Sequence, residues 1–420
     1  MKLSLQNFEI RDIILGDSSE YADGLLAINK AELISLIAKD KRITDPDIVV
    51  VKPGERTRIS NILEICEPRV KPDNDSYFPG ILNPLYRAGQ GKTNVLKGCS
   101  VLEIGVMPGF IGSMVDMAGE GATLTPFSKT YNVCILTKPA PGLKSVEYGF
   151  ALKQAGLKTS VYLANLAKGK SPNEIKIFDL RLPPGKLRGL PKVGYLFQLH
   201  SHGDSREPFI YGDNIRRYYP TIIHPNEILD GAIVCGHYNI SPGLKNSTYS
   251  LLNHPVITDL YESHGREMNF RGVVIAPEPI TLNEIKRTSM MSAALLKNIL
   301  DVDAVIITKE GGGHTDVDLM RNCEECEKLG IKTVLIDNEW LGPDGAEELA
   351  LLDMSPNADA IISVGNMDEV LDLPPMEKVV GGHTMPDIVG DLRDEVSIPI
   401  RCIANGMSQI GFTFLTTENR

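Results

Sequence analysis

The sequence predicts an α/β protein, with a β-rich N-terminal half followed by an α/β half built on a mainly parallel sheet. Three observations predict it. Over residues 1–167, short apolar runs are broken by Gly, Pro and Asn clusters, the pattern of strands joined by turns. Beyond Lys192, apolar runs of strand length alternate with segments of helical spacing, which implies right-handed βαβ units. The chain has 420 residues, 42% hydrophobic and 23% charged, enough for a real interior in roughly two to three domains of about 150 residues each.

In chain order, MKLSLQNFEIRDIIL alternates apolar and polar residues and reads as a first strand. Lys30–Lys41 carries Leu33, Ile34, Leu36 and Ile37 at the spacing of a short amphipathic helix. DIVVVKP, TNVLKGCSVLEIG and KTYNVCILT are strand runs, and Ser145–Ala155 is a second helix. The polar, proline-bearing stretch from Lys168 to Lys192 reads as a linker between a domain at 1–167 and another at 193–420. After it come an apolar run at Val193–Leu199, a strand at Gly272–Ala276, a helix at Thr281–Leu300 and a strand at Ala304–Thr308. A glycine turn at Gly311–Gly313 follows, then a helix at Asp316–Leu329 and strands at Thr333–Ile336 and Ala360–Val364. In such a sheet ligands sit beyond the carboxyl ends of the strands.

Composition narrows the function. A formal charge of −11 argues against nucleic acid or an anionic membrane as partner, because both demand a basic face. No apolar run reaches the roughly 18 residues of a membrane span, and the charged start is unlike a signal peptide. Seven scattered cysteines, an odd number, suit reduced thiols in a cytoplasm.

Several motifs invite chemistry. AGQGKT (Ala88–Thr93) resembles part of a phosphate loop, but Tyr86 stands where its first glycine belongs, so a β-turn is expected. Gly311–His314 either cradles an anion at a helix start or simply connects strand to helix. Cys323 and Cys326 fall on one face of a helix with no second pair, which favours burial over zinc. Asp337, Glu339 and Asp344 follow a strand and are expected as solvated loop carboxylates. In QLHSHGD, His200 and His202 are two apart and point to one side of a strand. His237 follows the apolar run Ala232–Val234, two residues after Cys235. Imidazole and thiolate suit zinc or a similar divalent ion, so His200, His202 and His237 are a candidate metal set; hydrogen bonding within a polar interior is the alternative.

Longer stretches carry a resemblance. GQGKTNVLKG (Gly89–Gly98), MVDMAGEGATLTPFSKTYNV (Met114–Val133), DGAIV (Asp230–Val234), NHPVITDLYESHGREMNFRGVVI (Asn253–Ile275), ITKEGGGHTDVDLMRNC (Ile307–Cys323) and GIKTVLIDNE (Gly330–Glu339) occur in order. With them the chain resembles the pyruvoyl-type, non-selenium subunit of component B of glycine, sarcosine and betaine reductase, and more distantly the proline reductase proprotein. The resemblance implies a subunit of a cytoplasmic, oligomeric reductase complex that activates a small amine for reductive C–N cleavage. It also implies a selenoprotein or thiol partner subunit, and self-cleavage at an Asn-Cys bond that leaves a pyruvoyl carbonyl to capture the amine.

The chain departs from that pattern at the cleavage site. Where the family reads Gly-Asn-Cys, it reads Gly236-His237-Tyr238-Asn239-Ile240-Ser241. Ile240 has no nucleophile for an acyl shift after Asn239; Ser241 could attack and eliminate to pyruvoyl, although Pro242 restricts the backbone there. The family also resembles a glutamine pattern where His200 and His202 stand. Three readings follow: a reductase subunit with Cys235, His237, Asn239 and Ser241 at its site, an unprocessed metal-dependent hydrolase or lyase using the three histidines, or a non-catalytic binding or scaffold subunit.

Overall fold

A six-stranded sheet organises the C-terminal half, in the order Thr221–Ile223, Asn269–Glu278, Lys192–His200, Ala304–Thr308, Lys332–Glu339 and Ala360–Asn366. The chain is described by a computed structural model at residues 1–82, 84–183, 185–203, 206–237, 245–345, 353–386 and 388–412. All neighbours in this sheet run parallel except the edge strand Thr221–Ile223. The central strand Lys192–His200 is buried almost throughout, as a parallel strand covered on both faces must be. Tyr195, Phe197 and Leu199 point into a core with Leu251, Ile257 and Leu260, whereas Leu196 points the other way, toward Leu296, Leu319 and Cys323.

From the central strand the chain moves to one side, to Asn269–Glu278, and then crosses to the other, to Ala304–Thr308. The order therefore reverses at the carboxyl end of Lys192–His200, where a crevice opens in sheets of this type. The crossover helix Leu282–Ala294 is followed by a π-helical turn at Leu295–Ile299, and helix His314–Lys328 starts directly after Gly313, whose φ of +87° a β-carbon would strain.

The N-terminal half holds a second six-stranded sheet, in which every residue of Thr57–Cys66 is buried. The helix Ser145–Asn165 packs across it and runs ten residues past the end expected at Ala155. The halves are interwoven. Lys378–Val380, from near the chain's end, pairs with Thr57–Ile59 in the N-terminal sheet. Within the segment 168–192, expected as a connector, Glu174–Phe178 adds an antiparallel edge strand to Leu3–Asn7. Arg58 reaches from the first half to the carbonyls of Leu392 and Pro374, at 2.8 and 3.0 Å. Arg69 binds those of Leu229 and Leu252, at 2.7 and 2.9 Å.

Some local expectations change. MKLSLQNFEIRDIIL forms two strands, Leu3–Glu9 and Asp12–Gly16. Asp337 is no solvated loop residue: it lies in the strand Lys332–Glu339, fully buried, 2.9 Å from Lys309, because the strand runs longer than its apolar core suggests. The glycine run around Gly89 is a turn, and the Gly89 N–H donates to Asp230 at 2.7 Å. Cys323 and Cys326 are buried free thiols. Among the described residues no helix is long and apolar enough to cross a membrane.

Candidate active site

Two buried charge clusters hold the ends of segment 238–244. The short strand Ile233–Val234, paired with Phe209–Ile210, delivers the chain to Cys235, whose N–H donates to Thr248 Oγ1 at 3.1 Å. Burial pushes the Cys235 thiol well above its ordinary value, so it is a protonated, inert thiol at neutral pH. Gly236 can carry no side chain, since a β-carbon would lie 2.2 Å from the Arg206 carbonyl oxygen.

His237 then turns inward and its Nε2 meets Glu103 Oε2 at 2.9 Å. Lys153 Nζ lies 2.6 Å from Glu64 and 3.6 Å from Glu103. Glu64 also accepts from the Thr248 N–H at 2.9 Å and its hydroxyl at 3.0 Å. Burial works to depress the Lys153 ammonium, but the two carboxylates outweigh it and hold it charged. Burial pushes Glu103 up to about 7 against the pull of Lys153, and burial with Lys153 keeps His237 neutral. A carboxyl that titrates near neutrality against a neutral imidazole is an acid–base pair that can hold or release one proton.

His237 of that pair lines a cavity of about 360 Å³ whose walls also include Gly236, Phe150, Phe209, Glu207 and Arg216. Buried Glu207 forms an ion pair with Arg216. Gly149 and Gly156 let the helix Ser145–Asn165 approach: a β-carbon on Gly156 would be 2.3 Å from Glu103 Oε1, and one on Gly149 3.2 Å from His237 Nδ1.

At the other end, Lys245 and Asn246 dock on Glu310, just past the strand Ala304–Thr308. The Glu310 carboxylate accepts from the Asn246 N–H at 3.1 Å, its side-chain amide at 3.0 Å, Lys245 at 3.4 Å and the His200 N–H at 3.0 Å. The His200 and His202 rings have centroids 4.0 Å apart and are tilted by 56°, and His202 Nε2 lies 2.9 Å from His314 Nε2. Among the described residues no three His, Cys, Asp or Glu side chains already form a ligand set. Of the expected trio, His200 and His202 come together at the sheet's carboxyl end, whereas His237 uses its Nε2 on Glu103.

Asn239 and Ser241 lie outside the described residues. The residues present do not fit a cysteine-derived pyruvoyl group, because Cys235 follows Val234 on a strand, with its N–H tied to Thr248, and Ile240 follows Asn239. Glu64, Glu103, Lys153 and Glu310 escaped the sequence reading. The one signal was a charge inside a run otherwise apolar enough to be buried, as in NILEIC and SVLEI.

Residues 1–418 match the family model described as glycine/sarcosine/betaine reductase component B subunits. The chain is 39% identical to "Glycine reductase complex component B subunits alpha and beta" of Acetoanaerobium sticklandii, covering 100% of both sequences. It is 37% identical to "Sarcosine reductase complex component B subunit alpha" of Peptoclostridium acidaminophilum, over 91% of this chain and 89% of that one. Similarity to "D-proline reductase proprotein PrdA" of Acetoanaerobium sticklandii is weaker, 21% over 79% of the chain. No solved structure matches. A family model that matches nearly the whole chain and a relative 39% identical over its full length lead to one conclusion: this chain belongs to the glycine/sarcosine/betaine reductase component B family.

Proposed function

We propose that the chain is the substrate-handling subunit of a reductase complex, that it takes a small amino compound into the cavity at Gly236 and His237, and that it works as one uncut chain. The observation that carries this reading is His237, which lines that cavity while its Nε2 is held by buried Glu103 behind it, beside the segment where the family does its chemistry. In a reductive C–N cleavage, a selenol or thiol of a partner subunit displaces the amine and its sulfur or selenium bonds to the carbon. The C–N electron pair leaves on nitrogen; a substrate bound as a neutral amine must gain a proton there as it goes, whereas an ammonium or quaternary nitrogen already departs as a neutral amine. The reading gives that proton transfer to His237 backed by Glu103, since a neutral amine leaves far more easily than an amide ion. Arg216 and Arg217, which also border the cavity, suit the carboxylate of an amino acid.

Intact mass under denaturing conditions tests the uncut state. One species of 46.0 kDa is expected, and a carbonyl-reactive fragment beginning at residue 241 would overturn it. Calorimetric titration with glycine, sarcosine and betaine tests the ligand class: at least one should bind, and binding of none would sink the assignment. With the partner subunit present, His237→Gln should lower turnover more than it weakens binding; equal turnover would leave a binding subunit without chemistry at this residue.

A further inference from the structure

The turn Ala88–Thr93, whose sequence invited a phosphate loop, is held far more firmly than a surface turn needs. Asp230, fully buried, accepts from the Gly89 N–H at 2.7 Å, the Thr93 hydroxyl at 2.7 Å and the Tyr77 hydroxyl at 3.2 Å. Lys71 pairs with the same carboxylate and donates to the Gln90 carbonyl and to Thr93 Oγ1, both at 2.8 Å. From the other side, the strand Gly91–Lys97 runs parallel to Leu3–Glu9, and the Gly91 N–H donates to the Lys2 carbonyl at 3.1 Å. Lys2 and Lys92 are thereby fixed at the same end of one sheet.

Outside this frame lies a groove of about 660 Å³. Its walls carry five cationic side chains, Lys2, Lys71, Arg87, Lys92 and Arg181, against the carboxylate of Asp73. In a chain of formal charge −11 that is a local reversal of sign. Lys71 is neutralised by Asp230 and Arg181 by Asp179, but the side chains of Lys2, Arg87 and Lys92 have no hydrogen bond or ion pair among the described residues. Like charges sharing a groove repel one another, and a bound anion removes that repulsion. Gly91, at φ +75°, has nothing within 4 Å of where a β-carbon would stand, so the groove wall beside it is open.

We propose that this groove binds the diphosphate group of a small molecule, with Lys2, Arg87 and Lys92 as its cationic partners and the Lys71–Asp230 pair holding the turn behind them. A terminal phosphate carries nearly two negative charges at neutral pH and the phosphate bonded to it adds another, which three free cations balance. The groove holds this group without the means to split it. A strand follows the turn where a phosphate loop has a helix, and Thr93, which would reach a magnesium ion there, is bonded to Asp230 and Lys71 instead. The groove shares no lining residue with the cavity at His237, and the two assignments stand or fall separately.

The experiment is calorimetric titration of the full chain with inorganic pyrophosphate, ADP and sulfate, without added metal. One site per chain is expected, with pyrophosphate and ADP each bound at least about tenfold more tightly than sulfate and more weakly as salt rises. Tighter binding of ADP identifies a nucleotide as the ligand, and equal affinity identifies the diphosphate alone. The Arg87→Gln, Lys92→Gln double variant should bind about 100-fold more weakly, through the loss of two hydrogen bonds to a charged group. Lys138→Gln, at an exposed ion pair with Asp45, should change nothing. Arg87 and Lys92 are exposed, and thermal unfolding without ligand shows that each variant is folded. Absence of saturable binding of either diphosphate, sulfate bound as tightly as pyrophosphate, or equal affinity in wild type and double variant overturns the site.

Discussion

At the scale of single residues, Glu103 makes the sharpest claim. Burial lifts its carboxyl from the ordinary 4.5 to about 7, so between those values the folded chain binds a proton that the unfolded chain has released. By linkage, stability from this group is full below 4.5 and falls as pH rises toward 7, on the order of 3 kcal/mol across the window. Gln at this position mimics the protonated acid and carries no such dependence. Urea denaturation of wild type and Glu103→Gln should therefore give similar stabilities near pH 4.5, with the variant gaining on wild type until about pH 7. Parallel pH profiles would mean that Lys153 holds Glu103 ionised throughout and that the pair with His237 is no proton store. The same logic explains why this residue is hard to find from sequence. Its neighbours Leu102 and Ile104 mark a buried strand, but the partners that set its chemistry lie 50 and 134 residues away, at Lys153 and His237.

At the scale of elements, the helix Ser145–Asn165 sets how closely the site is packed. Glycine inside a helix costs about 1 kcal/mol relative to alanine, so Gly149 and Gly156 need a reason. Seven residues apart, they lie near one face, and both look onto the site. Gly156→Ala would gain helix propensity but drive a methyl to 2.3 Å from the Glu103 carboxylate, inside a buried cluster that cannot give. A net loss of about 1–3 kcal/mol is expected. Gly149→Ala meets the flexible end of Met107 at 2.8 Å and His237 at 3.2 Å, and should cost less stability while disturbing ligand binding more. Chemical denaturation and calorimetry on the two variants check the order; a stabilised Gly156→Ala would show that the helix can move away from Glu103. The parallel strands were legible because strands covered on both faces read as continuous apolar runs, and the helix reached its right start at Ser145 by spacing alone. Its true end at Asn165 was not legible, since the residues beyond Ala155 earn their helix by packing on the N-terminal sheet. Nor was the strand Glu174–Phe178, whose exposed residues gain their order from pairing with Leu3–Asn7.

At the scale of the whole molecule, topology says what a cut at segment 238–244 would do. The central strand Lys192–His200 precedes the segment, yet it lies between Asn269–Glu278 and Ala304–Thr308, which follow it. Near the end of the chain, Lys378–Val380 pairs with Thr57–Ile59, and Arg58 and Arg69 of the first piece hold backbone carbonyls of the second. Separating the two pieces would strip a sheet of its middle strand and leave Arg58 and Asp116, a buried pair 2.7 Å apart, without the carbonyls that complete their bonding. Stripping a buried charge of hydrogen-bond partners costs about 1–3 kcal/mol for each group left unsatisfied, and the apolar faces of the central strand would meet water as well. A chain given a protease site within 238–244 and cut to completion should therefore still elute at the position of the uncut protein and fall into two pieces in denaturant alone. Two separate peaks under native conditions would refute the interwoven topology. The expected result implies that the fold tolerates a cut there, because the residues on either side, His237 on Glu103 and Asn246 on Glu310, are bonded to different halves of the chain.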